Sequence, residues 1–296
     1  MRRVHAVDLM LLGTVLLWSL NITVTKYVLQ HGFKPLSYAT IRYFAATALF
    51  WGFTYTRERS LAIALSDAKL VVLAGLLIFV NQIGFVYGLH TSSASTMALI
   101  LGTTPIFIGL FVTVFGFERV GRRFWAAAVC SFIGVGFVAS GNGGVSGKIG
   151  GDLLALFTAA TWAGYSVTIA PLMRRYSPFR ISAIVLAIGW VPIAVVGSVQ
   201  TAHQGFHFGW STWLGFGFAV VGPLFLTNIL WFTAIDRVGP SRASLFANMQ
   251  PFFAVLFALV ILGEHLNRWE IVGAVGIAGG IVLDRTRRRA PEPQAD

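Results

Sequence analysis

The sequence predicts an all-α integral membrane protein of ten transmembrane helices, arranged as two inverted five-helix repeats. Three observations carry this: the composition, an internal duplication, and the placement of Lys and Arg. Charged residues make up 11% of the 296-residue chain and hydrophobic residues 56%, against about 25% charged in an ordinary soluble domain. A water-soluble chain of this length cannot hide that much apolar surface, and a chain whose solvent is lipid does not need to. The duplication is read from two stretches, Pro105 to Glu118 and Pro251 to Glu264, in which the glutamate follows the proline by 13 residues (118 − 105 and 264 − 251). Phe107, Leu110, Phe111 and Val114 fall on Phe253, Leu256, Phe257 and Val260. Upstream, Ser95 and Leu99 fall on Ser241 and Leu245; downstream, Gly134 falls on Gly280. The offset of 146 (264 − 118) is about half the chain, as in a tandem duplication.

A membrane helix needs about 20 mostly apolar residues, and ten candidates follow in order. The first, 8–28, contains an apolar run from Leu9 to Thr25 that is too long for a signal-peptide core and precedes no small-residue cleavage site. Next come 36–56, 69–89, 93–116 and 124–140, the fifth short and rich in glycine. A linker, 141–151, holds six glycines and separates the repeats, 8–140 and 152–284. The second repeat supplies 152–172, 181–200, 210–233, 242–262 and 269–284, the last again short and glycine-rich. The tail 285–296 is basic, then proline-rich, and is expected to be disordered and cytoplasmic.

Orientation comes from the loops. With the N-terminus inside, 17 of the 22 Lys and Arg lie in inside segments, and only Lys34, Lys148 and Arg268 lie outside. Lys26 and Arg42 remain within the first two spans. This asymmetry explains the net charge of +11 without any nucleic-acid partner. It places both termini in the cytoplasm, and the chain in the plasma or inner membrane as a multi-pass protein. Five spans per repeat is an odd number, so the second repeat is expected upside down relative to the first. That is a transporter architecture with its site near the midplane. The single Cys130 excludes an intrachain disulfide and a cysteine-based metal site.

Several residues also carry a resemblance. Trp18-Ser-Leu-Asn21 with Lys26 in the first span, Ile41-Arg42-Tyr43 in the second, Gly263-Glu264 ending the ninth and the looser Gly116-Phe-Glu118 ending the fourth resemble the drug/metabolite transporter superfamily, specifically its EamA family. The resemblance covers residues 8–284. It implies a ten-span carrier of amino acids, other metabolites or drugs. The four-span multidrug relatives have a glutamate inside their first span, and this chain has none there.

Candidate functional residues are the polar and aromatic groups that lipid would reject, since an unpaired amide in hydrocarbon costs several kcal/mol. The substrate-binding set is Trp18, Asn21, Arg42, Asn81, Tyr87, Trp162, Tyr165, Asn228, Trp231, Asn248 and Gln250. Each amide alone reads equally as an interhelical hydrogen bond. As a set they outline a central cavity, with Trp18 and Trp162 facing each other across the repeat. Pro105 and Pro251 free the carbonyls of Leu101 and Ala247 in mid-span, reading as packing kinks or as broken helices lining the site. Arg42 lies six residues into its span, about 9 Å deep at 1.5 Å per residue, and needs carbonyls or the substrate as partner. Lys26 is expected to snorkel to the surface. Glu118 and Glu264 read as interfacial ion pairs with neighbouring arginines or, more sharply, as gate latches, inside and outside. The small-residue pairs Cys130/Gly134 and Gly276/Gly280 suit bundle packing or a homodimer, which sequence does not separate.

The resulting expectation is a secondary transporter exporting small amphipathic metabolites, amino acids or similar, by alternating access, with no cofactor and no metal. Its partners are the small-molecule substrate and the lipid bilayer. The alternative is a proton-coupled drug exporter. A membrane-embedded enzyme is disfavoured because no His-Glu-x-x-His, Gly-x-Ser-x-Gly or paired-Asp constellation occurs, and the six histidines lie in tails, loops or span ends. No Asp or Glu lies between the ends of any expected span, which favours facilitated movement or exchange over a deep proton relay.

Overall fold

The computed structural model describes residues 2–115, 122–141, 149–238, 246 and 249–285. All regular elements among them are helical. They are α1 (Arg2–Gln30), α2 (Pro35–Glu58), α3 (Ala68–Thr91), α4 (Ala94–Leu101), α5 (Thr104–Val114) and α6 (Arg122–Gly141) in the first half. The second half holds α7 (Ile149–Ile169), α8 (Pro178–Ala202), α9 (Trp210–Val220), a π-helical segment (Val221–Leu226), α10 (Thr227–Val238), α11 (Gln250–Leu262) and α12 (Arg268–Arg285). Among the described residues, six helical stretches are long and apolar enough to cross a membrane, against the ten spans expected, and Ala128–Val138 and Gln250–Leu262 are shorter apolar helices. The protein is therefore a multi-pass, all-helical membrane protein.

The starts and stops of these helices are legible in local chemistry. Pro35 opens α2, its missing N–H falling where a first-turn donor has no partner anyway, and Arg59 closes it in the left-handed region at φ 55°. Ser93 caps α4 by accepting from the Thr96 N–H at 3.0 Å, and Ser177 caps α8 by accepting from Arg180 N–H at 3.1 Å.

Two expected spans are not continuous helices. The fourth breaks at Gly102-Thr103, and Pro105 sits in the first turn of α5. The Leu101 carbonyl that Pro105 cannot serve accepts the Thr104 hydroxyl at 2.7 Å. The eighth passes through the π-helical segment, which contains Pro223. Pro251 likewise sits in the first turn of α11; Ala247 lies outside the described residues.

The halves interlock. α2 packs along α8, α6 along α12, α3 along α7 and α8, and α1 along α9, α10 and α11. Glycine sets the closest of these contacts. A Cβ on Gly273 would lie 2.5 Å from the Gly134 carbonyl oxygen, and one on Gly134 would lie 2.7 Å from the Gly273 oxygen. The small-residue faces of α6 and α12 are thus used within the chain.

The connections gather at two ends. At one, Glu58 binds Arg180 at 2.9 Å and the Ser177 hydroxyl, while Asp67 binds Arg175 at 2.6 Å and the Tyr176 hydroxyl at 2.8 Å. At the other, the Lys34 N–H donates to Gln204 at 2.8 Å and Lys34 Nζ to the His203 carbonyl at 2.7 Å. In the expected orientation, with the N-terminus inside, the first would be the cytoplasmic end and the second the outer end.

Candidate functional site

Arg42 organises the polar interior. It is 2% exposed, although it sits within a span. Its Nε donates to the Ala219 carbonyl at 3.1 Å and its Nη2 to Asn21 Oδ1 at 3.0 Å. The guanidinium lies 5.5 Å from the centroid of the Tyr38 ring, one helical turn away. No carboxylate among the described residues pairs with it, and Nη1 has no acceptor among them. A buried cation is costly unless neutralised or fully hydrogen-bonded, so Arg42 keeps both charge and donors to offer.

The carbonyl it uses is available for a reason visible in the sequence. An α-helical carbonyl at 219 would accept the N–H of residue 223, but that residue is proline and has none. The chain widens into the π segment, and Arg42 takes the orphaned acceptor. Pro223 was missed in the sequence reading, which weighed only the two prolines matched by the duplication. Counting back four residues from every proline would have found Ala219.

The first span supplies the remaining fasteners. Trp18 Nε1 donates to the Pro223 carbonyl at 3.3 Å, beside the Thr227 hydroxyl at 2.6 Å. Ser19 Oγ donates to the Gln250 carbonyl at 3.0 Å, at the start of α11. Asn21 accepts from Arg42 and, at 3.4 Å, from Thr25, whose hydroxyl also meets Tyr38 at 2.9 Å. One short stretch of α1 thus touches the interruptions of two spans and the buried cation. The Trp18 ring packs on Trp231 at 5.2 Å, and the Trp162 ring on Tyr165 at 5.3 Å within α7. The expected pairing of Trp18 with Trp162 is not formed: Trp18 takes the Trp231 ring, and Trp162 is 41% exposed.

Asn81 is consumed structurally. Its Nδ2 donates to the Thr158 carbonyl at 2.9 Å and to Thr161 Oγ1 at 3.2 Å, tying α3 to α7. Its neighbour Gln82, not singled out from sequence, is 6% exposed and leaves Oε1 without a partner. The signal for it was the amide doublet Asn81-Gln82 inside an apolar run. Tyr43, beside Arg42, is buried. Tyr87 accepts from Gln200 Nε2 at 3.0 Å, and Gln200 Oε1 accepts the Leu36 N–H at 3.0 Å. Gln250 is half-buried. Asn248 and Glu118 lie outside the described residues, as does the side chain of Asn228. Two shallow apolar grooves on the outer surface, one along Ala68 to Leu76 and one reaching Ile184 and Ile188, share none of these residues.

The end at which α3 finishes and α4 begins holds two corrections. Lys26 does not snorkel. It is 8% exposed, and its Nζ donates to the Leu89 carbonyl at 2.6 Å and the Ser92 carbonyl at 2.7 Å. The last carbonyls of α3 are orphan acceptors at the negative end of a helix dipole, a nearer and drier destination than the headgroups. Glu264 does not pair with Arg268, whose guanidinium instead lies 5.3 Å from the Trp269 ring centroid. Its two oxygens accept the Ala94 and Ser95 N–H groups at 2.8 and 2.9 Å, capping α4 from the other half of the chain. Glu270, overlooked in the sequence because it sits one turn into α12, is 4% exposed and accepts the Thr96 hydroxyl at 2.9 Å. Asp152 accepts the Ser92 hydroxyl at 3.0 Å. Residues 92–96 are thereby gripped by Lys26, Asp152, Glu264 and Glu270.

Comparison with known proteins places this arrangement. A family model described as the EamA-like transporter family matches residues 5–140 and again 149–284. The uncharacterized transporter YyaM of Bacillus subtilis (strain 168) is 23% identical over 294 residues, 96% of this chain and 95% of its own. The uncharacterized inner membrane transporter YedA of Escherichia coli (strain K12) is 27% identical over 268 residues, 88% of this chain and 85% of its own. One solved crystal structure superposes with a TM-score of 0.66 at 17% identity, covering 97% of this chain and 99% of that one, which shows a shared fold.

Proposed function

Because the chain belongs to the EamA-like transporter family, we propose that this membrane transporter moves small amphipathic metabolites, amino acids or similar, by alternating access. The proposed direction is export across the cytoplasmic membrane, with both termini inside and ten spans forming two inverted repeats. Reciprocal packing supports the repeat: the second helices of the two halves pair, as do the last, and α3 on α7 is answered by α10 on α1.

The observation that carries the substrate class is Arg42, a buried guanidinium whose protein partners are one carbonyl and one amide, neither of them an anion. A carboxylate is the ligand group that neutralises it with directed hydrogen bonds. Gln82 Oε1 is a buried acceptor without a donor, available to an ammonium or amide N–H. Aromatic rings at Trp18, Trp231 and Tyr165 suit an apolar body. The absence of an acid beside Arg42 among the described residues counts against a dedicated cation exporter.

The grip of Glu264 and Glu270 on the start of α4 is the outer gate in its closed form in this reading. Reconstituted liposomes screened with amino acids, nucleosides and cationic drugs test the class, and Arg42→Ala tests the residue. Loss of at least tenfold, or about 1.4 kcal/mol, is expected on a carboxylated substrate and much less on its amide. Equal loss on both, with falling protein yield, would make Arg42 structural.

A further inference from the structure

Pro223, Ala219 and Arg42 form a linkage that reaches beyond substrate recognition. α9 is the outer half of the eighth span. Below it lies the π segment, with no proline N–H to hold the Ala219 carbonyl in the helix. π-helical turns of this kind are rare and concentrate at functional sites. Arg42 Nε, from another span, holds that carbonyl at 3.1 Å in its place. Above it, α9 carries Trp213 and Phe216 into an aromatic cluster at the outer mouth. Phe33, 2% exposed, stacks on Phe208 at 4.3 Å and on Phe216 at 5.5 Å, with Trp213 edge-on at 5.9 Å. Tyr38 meets Phe216 edge-on at 5.9 Å and carries Arg42 over its own face at 5.5 Å. The same guanidinium is therefore both a buried cation with no anion among the described residues and the tie that holds the outer half-helix.

We propose that Arg42 couples substrate to the outer mouth: a substrate carboxylate draws the guanidinium off the Ala219 carbonyl, and α9 then swings about the Pro223 segment, carrying Trp213 and Phe216 away from Phe33. The ligand-driven half of this rests on the reading of Arg42 as the carboxylate's partner. The mechanical half, that the Arg42–Ala219 tie and the proline-freed carbonyl set the position of α9, does not. No bond other than hydrogen bonds is exchanged. The guanidinium trades a neutral acceptor for an anion, and the released carbonyl faces a segment whose backbone ladder is already open.

The test is spin-label distance measurement in lipid nanodiscs. Labels are placed at Trp210→Cys, at the exposed start of α9, and Arg268→Cys, at the exposed start of α12, in a Cys130→Ser background. In ligand-free protein, Arg42→Met removes the donor and is expected to shift the long-to-short distance ratio by about tenfold, the value of one charged hydrogen bond. Pro223→Ala restores a backbone N–H to Ala219 and is expected to collapse the distribution to one narrow distance. Asn21→Ala, which weakens the hold on Nη2 without removing the cation, serves if Arg42→Met fails to fold, and is expected to shift the ratio the same way by a smaller factor. With L-phenylalanine and then L-phenylalaninamide added as probes, only the carboxylate is expected to move the parent distribution. Unchanged distances in folded Arg42→Met or Asn21→Ala together with unchanged distances in Pro223→Ala overturn the mechanical linkage. If those variants shift the distances but neither the carboxylate nor any carboxylated substrate from the flux screen does, the hinge stands and the carboxylate assignment falls.

Discussion

Replacing Glu264 with Gln tests the proposed outer latch. The carboxylate uses both oxygens, at 2.8 Å on the Ala94 N–H and 2.9 Å on the Ser95 N–H, at the positive end of α4. Glutamine has one oxygen, and its NH2 group would face a second donor, so one of the two bonds is lost outright. A hydrogen bond to a charged group contributes roughly 1.5–3 kcal/mol, and a charge at a helix end about 0.3–1 kcal/mol. Glu264 is only half-buried, so the lower end applies, and the closed form should lose about 2 kcal/mol, roughly thirtyfold in the closed-to-open ratio. Leu99, buried and one turn below Ser95 in α4, reports on that ratio. With Leu99→Cys as the single thiol, labelling by a membrane-impermeant maleimide from outside should rise by about that factor when Glu264→Gln is added. Glu264→Asp, keeping the charge on a shorter stem, should fall between the two. Labelling within a factor of about three of the parent, in protein that remains monodisperse, would refute the latch and leave Glu264 as a surface cap.

Lys26→Met keeps length and loses donors, orphaning the Leu89 and Ser92 carbonyls at about 1–3 kcal/mol each; its thermal midpoint in detergent should drop by several degrees, with Lys26→Arg recovering most of the loss. Gly273→Val puts a side chain where a Cβ already meets the Gly134 oxygen at 2.5 Å and the Val138 N at 2.9 Å, so monodisperse protein should be lost; Gly279→Ala, with nothing within 4 Å, should be silent. A cysteine at Gly144 should label from outside and one at Ser177 only from inside, and the reverse pattern would overturn the topology.

The membrane class and the all-helical character were legible because they follow from bulk quantities. Twenty apolar residues in a row have few other solutions. The polar interior was legible as a set and not as individuals. Arg42 was found because depth alone makes a guanidinium conspicuous. Asn81 turned out to be saturated by Thr158 and Thr161, while Gln82, next to it, retains an unmet acceptor. Which of two adjacent amides is satisfied depends on the facing helix, and the sequence of α3 carries no information about that. Lys26 and the ion-pair reading of Glu264 failed in the same way. Both were assigned the nearest water or the nearest opposite charge in the chain, and both went instead to the backbone ends of α3 and α4. A helix terminus is a partner that no residue-by-residue inspection lists.

Prolines show the same limit from the other side. Pro192 sits inside α8, which remains one helix from Pro178 to Ala202. Pro105 and Pro251 open new helices, and Pro223 forces a π segment. All four remove one donor, so the loss of a hydrogen bond does not decide the outcome. What differs is the claimant on the carbonyl left behind. At the fourth span a local hydroxyl, Thr104, takes the Leu101 oxygen, and the break is self-contained. At the eighth the claimant is a cation on another helix, so the break is joined to Arg42, and through Arg42 to Asn21 and whatever anion enters. Of the interruptions described, this is the one that the proposed linkage makes responsive to ligand charge, and α9 runs from it to the aromatic cluster around Phe33. A carrier needs its binding site and its gate to share a component. In this chain the duplication marks Pro105 and Pro251 as landmarks, and the shared component proposed above lies instead at the unmatched Pro223.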